Sequence, residues 1–280
     1  MSEFPIGAGR TVDVDGIATF YHEAGEGEAV VLVHGAGPGA SGLSNWSRNI
    51  EPLARRFRVL TIDLPGFGRS AKLPVPPRFF EYYGLHLGRF LDTLGIDRAH
   101  LVGNSLGGGA SMMLALRRPE KVGKMVLMGS GGGYPVTSVM PTTGLKMLMG
   151  FYQPPGPSRE RLMAFLREMV FDQQTVTDAL VEQRLAAATA ADVVACPPFG
   201  FRDGKPPVPD EVWRERIDQL PHQTLIVWGR EDRIMPLDNG FTLMKQIPNA
   251  RLHVLPKCGH WAQWERADEF NPLVEAFLDD

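Results

Sequence analysis

The chain has 280 residues, of which 44% are hydrophobic, enough to bury the core of one large domain or two small ones. Its 29 Lys and Arg stand against 32 Asp and Glu, with both signs interspersed; a net charge of −3 removes any electrostatic case for nucleic acid or an anionic membrane as a partner. No apolar run nears the ~18 residues that a spanning helix needs. Met1–Ile6 has neither the basic nor the apolar stretch of a secretory leader, and with only Cys196 and Cys258 a reducing cytoplasm is expected.

In chain order, Thr11–Val14 and Ile17–Tyr21 flank the turn pair Asp15-Gly16, a hairpin signal. Ala29–Val33 is a continuous apolar run, as expected of a strand buried on both faces, and it enters the glycine-rich stretch His34-Gly35-Ala36-Gly37-Pro38-Gly39. A second such strand, Arg58–Ile62, ends in Asp63-Leu64-Pro65-Gly66. Residues 79–95 have helical spacing (Phe80, Tyr83, Leu87, Phe90, Leu91, Leu94) and stop at Gly95. A strand at 99–105 turns directly into a helix that runs to Arg117, before Pro119, and Val122–Met128 is the next strand. Buried strands alternating with amphipathic helices predict a mostly parallel sheet covered on both faces.

The pattern changes after Gly129. Ser130-Gly131-Gly132-Gly133 reads as a hinge, and from 134 to about 212 strand signals vanish. Helical patterns at Leu145–Phe151, Arg159–Phe171 and Thr175–Thr189 predict a cap over the sheet. Met140, Met147, Met149, Met163 and Met169 suit either helix packing or the lining of an apolar pocket. The sheet resumes with Gln223–Trp228, a helix at 238–246, a strand at Arg251–Leu255 and a closing helix from about Asp268 to Leu278. The expected fold is an α/β-hydrolase fold: an eight-stranded, mostly parallel sheet with a helical cap inserted after the sixth strand. The core is placed at 1–132 and 213–280, and the cap at 133–212.

The chemistry centres on Gly103-Asn104-Ser105-Leu106-Gly107, a Gly-x-Ser-x-Gly elbow between strand and helix. A serine hydroxyl is a weak nucleophile without a base. Of the seven histidines, His260 in Gly259-His260-Trp261 is the candidate base, since it follows a strand end. Asp232, just past another strand end, is the candidate orienting acid. Asp63 reads as structural, and Asp238 as the N-cap of its helix. The order Ser105, Asp232, His260 is that of the α/β-hydrolases. Oxyanion donors are expected from the Leu106 amide and from Ala36 or Gly37.

The loop His34-Gly35-Ala36-Gly37-Pro38-Gly39-Ala40-Ser41-Gly42-Leu43-Ser44-Asn45-Trp46, with Asn104 before the nucleophile, resembles that of the meta-cleavage product hydrolases. These α/β-hydrolases cleave a carbon–carbon bond in the dienoates left by extradiol ring opening. The resemblance extends through Trp228-Gly229-Arg230-Glu231-Asp232-Arg233 and Gly259-His260-Trp261. It implies that Arg184 binds the dienoate carboxylate, where composition and spacing alone would make it a solvated helix residue. It further implies substrate contacts from Asn45, Asn104 and Trp261. A variable pocket position falls at Ile234. Gln174 stands where relatives often carry a hydroxyl residue, which leaves that contact open. The implied reaction is ketonisation of the dienolate, attack of Ser105 on the C6 carbonyl, and hydrolysis of the acyl-enzyme. No metal or organic cofactor is expected, and the chain is expected to form a homo-oligomer. Aryl substituents are favoured for the acyl end. The rival readings are a carboxylesterase with the same triad and, from another class, a hydrolase-fold ligand receptor.

Overall fold

The computed structural model describes residues 7–73, 75–199, 205 and 208–280. Residues 1–6, on which the expectation of no leader rests, lie outside them. Eight strands form one sheet: β1 (Arg10–Val14), β2 (Ile17–Ala24), β3 (Ala29–Val33), β4 (Arg58–Ile62), β5 (Ala99–Asn104), β6 (Val122–Met128), β7 (Thr224–Gly229) and β8 (Ala250–Leu255). Their spatial order is β1-β2-β4-β3-β5-β6-β7-β8. β1 and β2 pair antiparallel through the Asp15-Gly16 turn, in which both residues have positive φ, and β2 runs antiparallel to β4; from β4 to β8 the sheet is parallel.

Alternation along each strand sends successive side chains to opposite faces. Val31, Leu60, Leu101, Leu127 and Ile226 enter one core. Their neighbours Val30, Val59, Val102, Val126 and Leu225 enter the other. The helices divide accordingly. Trp46 of α1 (Gly42–Trp46) and Leu53 of α2 (Ile50–Ala54) belong to the second core. The first core holds Tyr83 and Phe90 of α3 (Phe79–Thr93) and Met112 and Met113 of α4 (Leu106–Arg117). α3 and α4 approach so closely that a Cβ at Gly84 would lie 2.8 Å from the Ala110 carbonyl oxygen.

Between β6 and β7 the helices are α5 (Thr143–Gly150), α6 (Arg159–Met169), α7 (Asp178–Ala188) and α8 (Ala191–Ala195). The expected helix at Thr175–Thr189 is shorter at its start. Thr177 accepts the Leu180 amide and caps α7, while Gln173–Thr175 forms a separate 3-10 turn. After β7 come α9 (Asp238–Gln246), α10 (Ala262–Glu265) and α11 (Ala267–Asp279); α11 packs Phe270, Val274 and Phe277 into the second core. Asp238 departs from its expected role. It is the first residue of α9 and does not cap it. Its Oδ2 instead accepts the amides of Val136, Thr137 and Ser138, where the chain enters the cap.

The pairing of β3 with β5 places the site. The two strands are neighbours, with Val33 opposite Gly103, so the loop after β3 and the elbow after β5 leave the sheet side by side. Ligands of open parallel sheets gather at such carboxyl ends.

Candidate active site

Ser105 sits at φ 51° and ψ −108°, a conformation L side chains rarely adopt. The turn is held by backbone bonds: the Ser105 amide donates to Met128 O at 2.9 Å, and Ser105 O accepts from the Gly108, Gly109 and Gly131 amides. A Cβ at Gly103 would lie 2.4 Å from Gly107 O, and one at Gly107 would lie 2.2 Å from Val33 O. Glycine at both positions is therefore a steric requirement of the elbow.

Asp232 lies in the turn after β7. Its Oδ1 accepts the amides of Ile234 and Met235 at 2.8 and 2.9 Å, and Trp228 Nε1 braces the same turn by donating to Met235 O. Its Oδ2 faces His260 Nδ1 at 2.7 Å, with both side chains buried. An Nδ1–H donated to the carboxylate leaves Nε2 free to act as a base. Gly129, after β6, leaves the space the pair occupies; a Cβ there would come within 2.9 Å of His260 Nδ1. Asp63 is structural, accepting the Gly42 and Arg69 amides.

Ser105 and His260 line one small cavity of about 10 Å³, room for roughly one water. Ala36 and Gly37 border it from the loop after β3. That loop is tied to the turn after β4 by His34, whose Nδ1 meets Gly35 O at 2.8 Å while Nε2 accepts the Leu64 amide at 3.0 Å. Burial lowers the His34 pKa, against the opposing pull of Asp63 and the Gly35 carbonyl, and an Nε2 that accepts an amide carries no proton itself. Leu106 opens α4 beside Ser105, and the amide of a first helical residue has no acceptor within its own helix.

Arg184, on α7, reaches the same cavity and is 2% exposed. Its Nε donates to Pro38 O and its Nη1 to Ser44 Oγ, both at 3.0 Å, and its guanidinium carbon lies 5.4 Å from the Trp261 ring centroid. No carboxylate pairs with it among the described residues, and burial lowers its pKa to about 10, still cationic at neutral pH. Asn45 and Asn104 also line the cavity, and Asn45 Nδ2 and Asn104 Oδ1 are buried without a protein partner. A buried polar atom left unpaired costs about 1–3 kcal/mol, so Asn45 Nδ2 is free to donate to a polar guest and Asn104 Oδ1 to accept from one.

Trp261 and Ile234 line the cavity. Gln174 does not: it lies exposed on the 3-10 turn before α7, away from the cavity, because α7 starts at its Thr177 cap. Of the five cap methionines, Met169 alone reaches the cavity, beside Phe165 and Leu148, which carried no distinguishing mark in the sequence. A separate concavity of about 430 Å³ lies between the core and α7–α8 and is lined by none of Ser105, Asp232 and His260.

A parallel sheet, a strained serine elbow and a buried His–Asp pair define an α/β-hydrolase, and the profile of the α/β hydrolase fold matches residues 28–267. A 2-hydroxy-6-oxo-6-phenylhexa-2,4-dienoate hydrolase of Burkholderia cepacia is 42% identical, with 96% of this chain and 94% of the relative covered. A 2-hydroxy-6-oxononadienedioate/2-hydroxy-6-oxononatrienedioate hydrolase of Comamonas testosteroni is 40% identical at the same coverage. The meta-cleavage product hydrolase CumD of Pseudomonas fluorescens IP01 superposes with a TM-score of 0.84 at 35% identity, covering 98% of each chain. The chain therefore belongs to the α/β-hydrolases and, within them, to the meta-cleavage product hydrolases. No helix among the described residues is long and apolar enough to cross a membrane.

Proposed function

We propose that this protein hydrolyses the C5–C6 bond of a 2-hydroxy-6-oxohexa-2,4-dienoate ring-fission product, releasing 2-hydroxypenta-2,4-dienoate and a carboxylic acid. The observation that carries the reading is Arg184: a buried guanidinium with no carboxylate of its own, in one cavity with Ser105 and His260. It takes the dienoate carboxylate; the unpaired Asn45 Nδ2 donates to an oxygen at that end, and Asn104 Oδ1 accepts the proton of the 2-hydroxyl. Trp261 closes the wall beside Arg184.

Ketonisation places a proton on C5. Ser105 Oγ then attacks C6 as its proton passes to His260 Nε2, with Asp232 holding the imidazolium. The Leu106 amide and that of Ala36 or Gly37 receive the oxyanion. Collapse breaks the C5–C6 bond, and its electron pair spreads to the 2-oxo oxygen near Arg184. The His260 proton passes to the departing dienolate, and the neutral ring then deprotonates the water that frees the acyl group from Ser105.

Leu148, Phe165, Met169 and Ile234 form the apolar side, which favours an aryl acyl group. Because the cavity is far smaller than such a substrate, segment 133–212 works as a cap that opens on the core of 1–132 and 213–280. Phe241 and Met244, exposed three residues apart on α9, support a homo-oligomer, and the free Cys196 and Cys258 suit a reducing cytoplasm.

The test is Arg184→Ala. Turnover of the 6-phenyl dienoate, followed by loss of its absorbance, is expected to fall about 100-fold, a loss typical of a buried charge contact. Hydrolysis of p-nitrophenyl acetate, which has no carboxylate to clamp, should stay within about threefold. Equal loss of both would overturn the clamp and favour a carboxylesterase.

A further inference from the structure

The loop that carries His260 is fastened by three successive amides. The Cys258 amide donates to Glu231 Oε2 at 3.1 Å, the Gly259 amide to Glu265 Oε1 at 2.8 Å, and the His260 amide to Met169 O at 2.7 Å. Two of these acceptors involve the cap. Met169 ends α6 and places its side chain in the cavity. Glu265, on α10, uses its other oxygen, Oε2, to accept the amide of Phe171 at 2.6 Å, two residues beyond α6. One carboxylate thus grips the cap with one oxygen and the base-bearing loop with the other.

The crossing is tight. A Cβ at Gly259 would lie 2.6 Å from Met169 O and 2.9 Å from the Val170 backbone. The acid loop joins the same clasp: Arg233, next to Asp232, donates Nη2 to Arg167 O and Val170 O, and its Nε lies 3.3 Å from Glu168. These bonds occupy carbonyls at the end of α6 that have no acceptor role inside the helix.

We propose that Glu265 is a positioning residue that seats the His260 loop against the cap, so that the base is in register with Ser105 only while the end of α6 is docked. The inference rests on His260 being the base that activates Ser105. Glu265 touches neither Ser105 nor the cavity. It acts through the Gly259 amide, one residue before His260, and small displacements of a catalytic group are costly to rate.

Two variants and one probe test this. Glu265→Gln keeps the size but turns one oxygen into an NH2 that faces an N–H donor, so one of the two grips is lost. Phe171→Pro removes the cap-side amide that Oε2 accepts at 2.6 Å and leaves only the weaker approach of the Asp172 amide. Val170 already has φ −120° and ψ 152°, the extended backbone that a following proline favours. The readouts are the rate of Ser105 labelling by a fluorophosphonate, which reports the serine–histidine pair whatever the natural substrate, and kcat and KM for the 6-phenyl dienoate. Melting temperature serves as the check on folding.

Glu265→Gln is expected to slow labelling and kcat about tenfold or more, and Phe171→Pro about fivefold, with KM within about threefold. Wild-type labelling rates in Glu265→Gln would overturn the proposal. Slow labelling in Glu265→Gln with wild-type rates in Phe171→Pro would also overturn it, since the cap would then have no part. Failure of the unmodified protein to label, or undiminished labelling of His260→Ala, would instead overturn the serine–histidine reading beneath it.

Discussion

The sheet ends and the cap both face one cavity, yet they are held by different forces. At the sheet, position comes from backbone crossing backbone. Gly103 and Gly107 let β3, β5 and α4 meet at distances no Cβ tolerates, and Ser105 is wedged into its strained turn by amides. Apart from the backbone bond of His260 to Met169 O, the polar ties of the cap named above are long side chains. Arg184 ties α7 to Pro38 and Ser44, Asp238 ties the cap entry to α9, and Arg233 with Glu265 ties the end of α6. Backbone crossings are rigid and suit a nucleophile whose geometry must not drift. Side-chain ties exchange with water at modest net cost and suit a part that must lift to admit substrate.

The contrast is most exposed at glycines. Gly107→Ala forces its methyl to 2.2 Å from Val33 O, so a loss of about 3 kcal/mol or more is expected, or no folded protein at all. Thermal unfolding with labelling of Ser105 checks it; a stable, active variant would refute the rigid-elbow account.

In the cap, Leu148→Ala should widen the apolar side of the cavity. The ratio of kcat/KM for a bicyclic over a methyl-substituted dienoate is expected to rise about tenfold, and an unchanged ratio would remove Leu148 from acyl selection. Asp238→Asn addresses the cap entry. Burial alone would raise the Asp238 pKa, but the Thr137 and Ser138 hydrogen bonds bring it down to about 2. A depressed carboxylate contributes stability above its unfolded value, near 3.8, and loses it as pH falls through about 2. The variant should therefore melt lower at pH 7, by about 1 kcal/mol after allowing for solvent screening. The gap should close between about pH 4 and 2; a gap independent of pH would mean the charge has no role.

The smallest effect has the opposite sign. Gly150 ends α5 with only Arg161 Nη2 near, at 3.8 Å, so Gly150→Ala should stabilise by about 0.5 kcal/mol. A loss at this position comparable to that at Gly107 would erase the distinction between the two regions.

Much of the fold was legible because its signals are local. The apolar runs at Ala29–Val33 and Val122–Met128 are strands with the bounds read from sequence, and the Asp15-Gly16 turn joins β1 to β2. The elbow was legible because a strained serine turn demands glycines on either side. Gln174 is named by resemblance, from its distance of about ten residues before Arg184, and such a count does not register the 3-10 turn that intervenes. Thr177 followed by Asp178 was the available cap signal, and it moved Gln174 out to solvent. Asp238 was read as a cap because Asp at a helix start favours one, whereas its partners lie about a hundred residues back at the cap entry. Glu265 and Arg233 left no trace, since they bind main-chain atoms of distant residues, and a backbone amide carries no sequence signature.

The sequence by itself therefore determined the strand and helix pattern, the serine elbow and the chain order of Ser105, Asp232 and His260, all written in short-range residue choice. Only the tertiary structure decided how Asp232 Oδ1 is pinned by the Ile234 and Met235 amides while Oδ2 meets His260. It alone decided that Arg184 is buried without a counter-charge and that the cap's end is clasped to the base-bearing loop. These are matters of which distant groups meet in a closed, poorly solvated space, where pairing and its absence carry a free-energy cost that spacing along the chain does not encode.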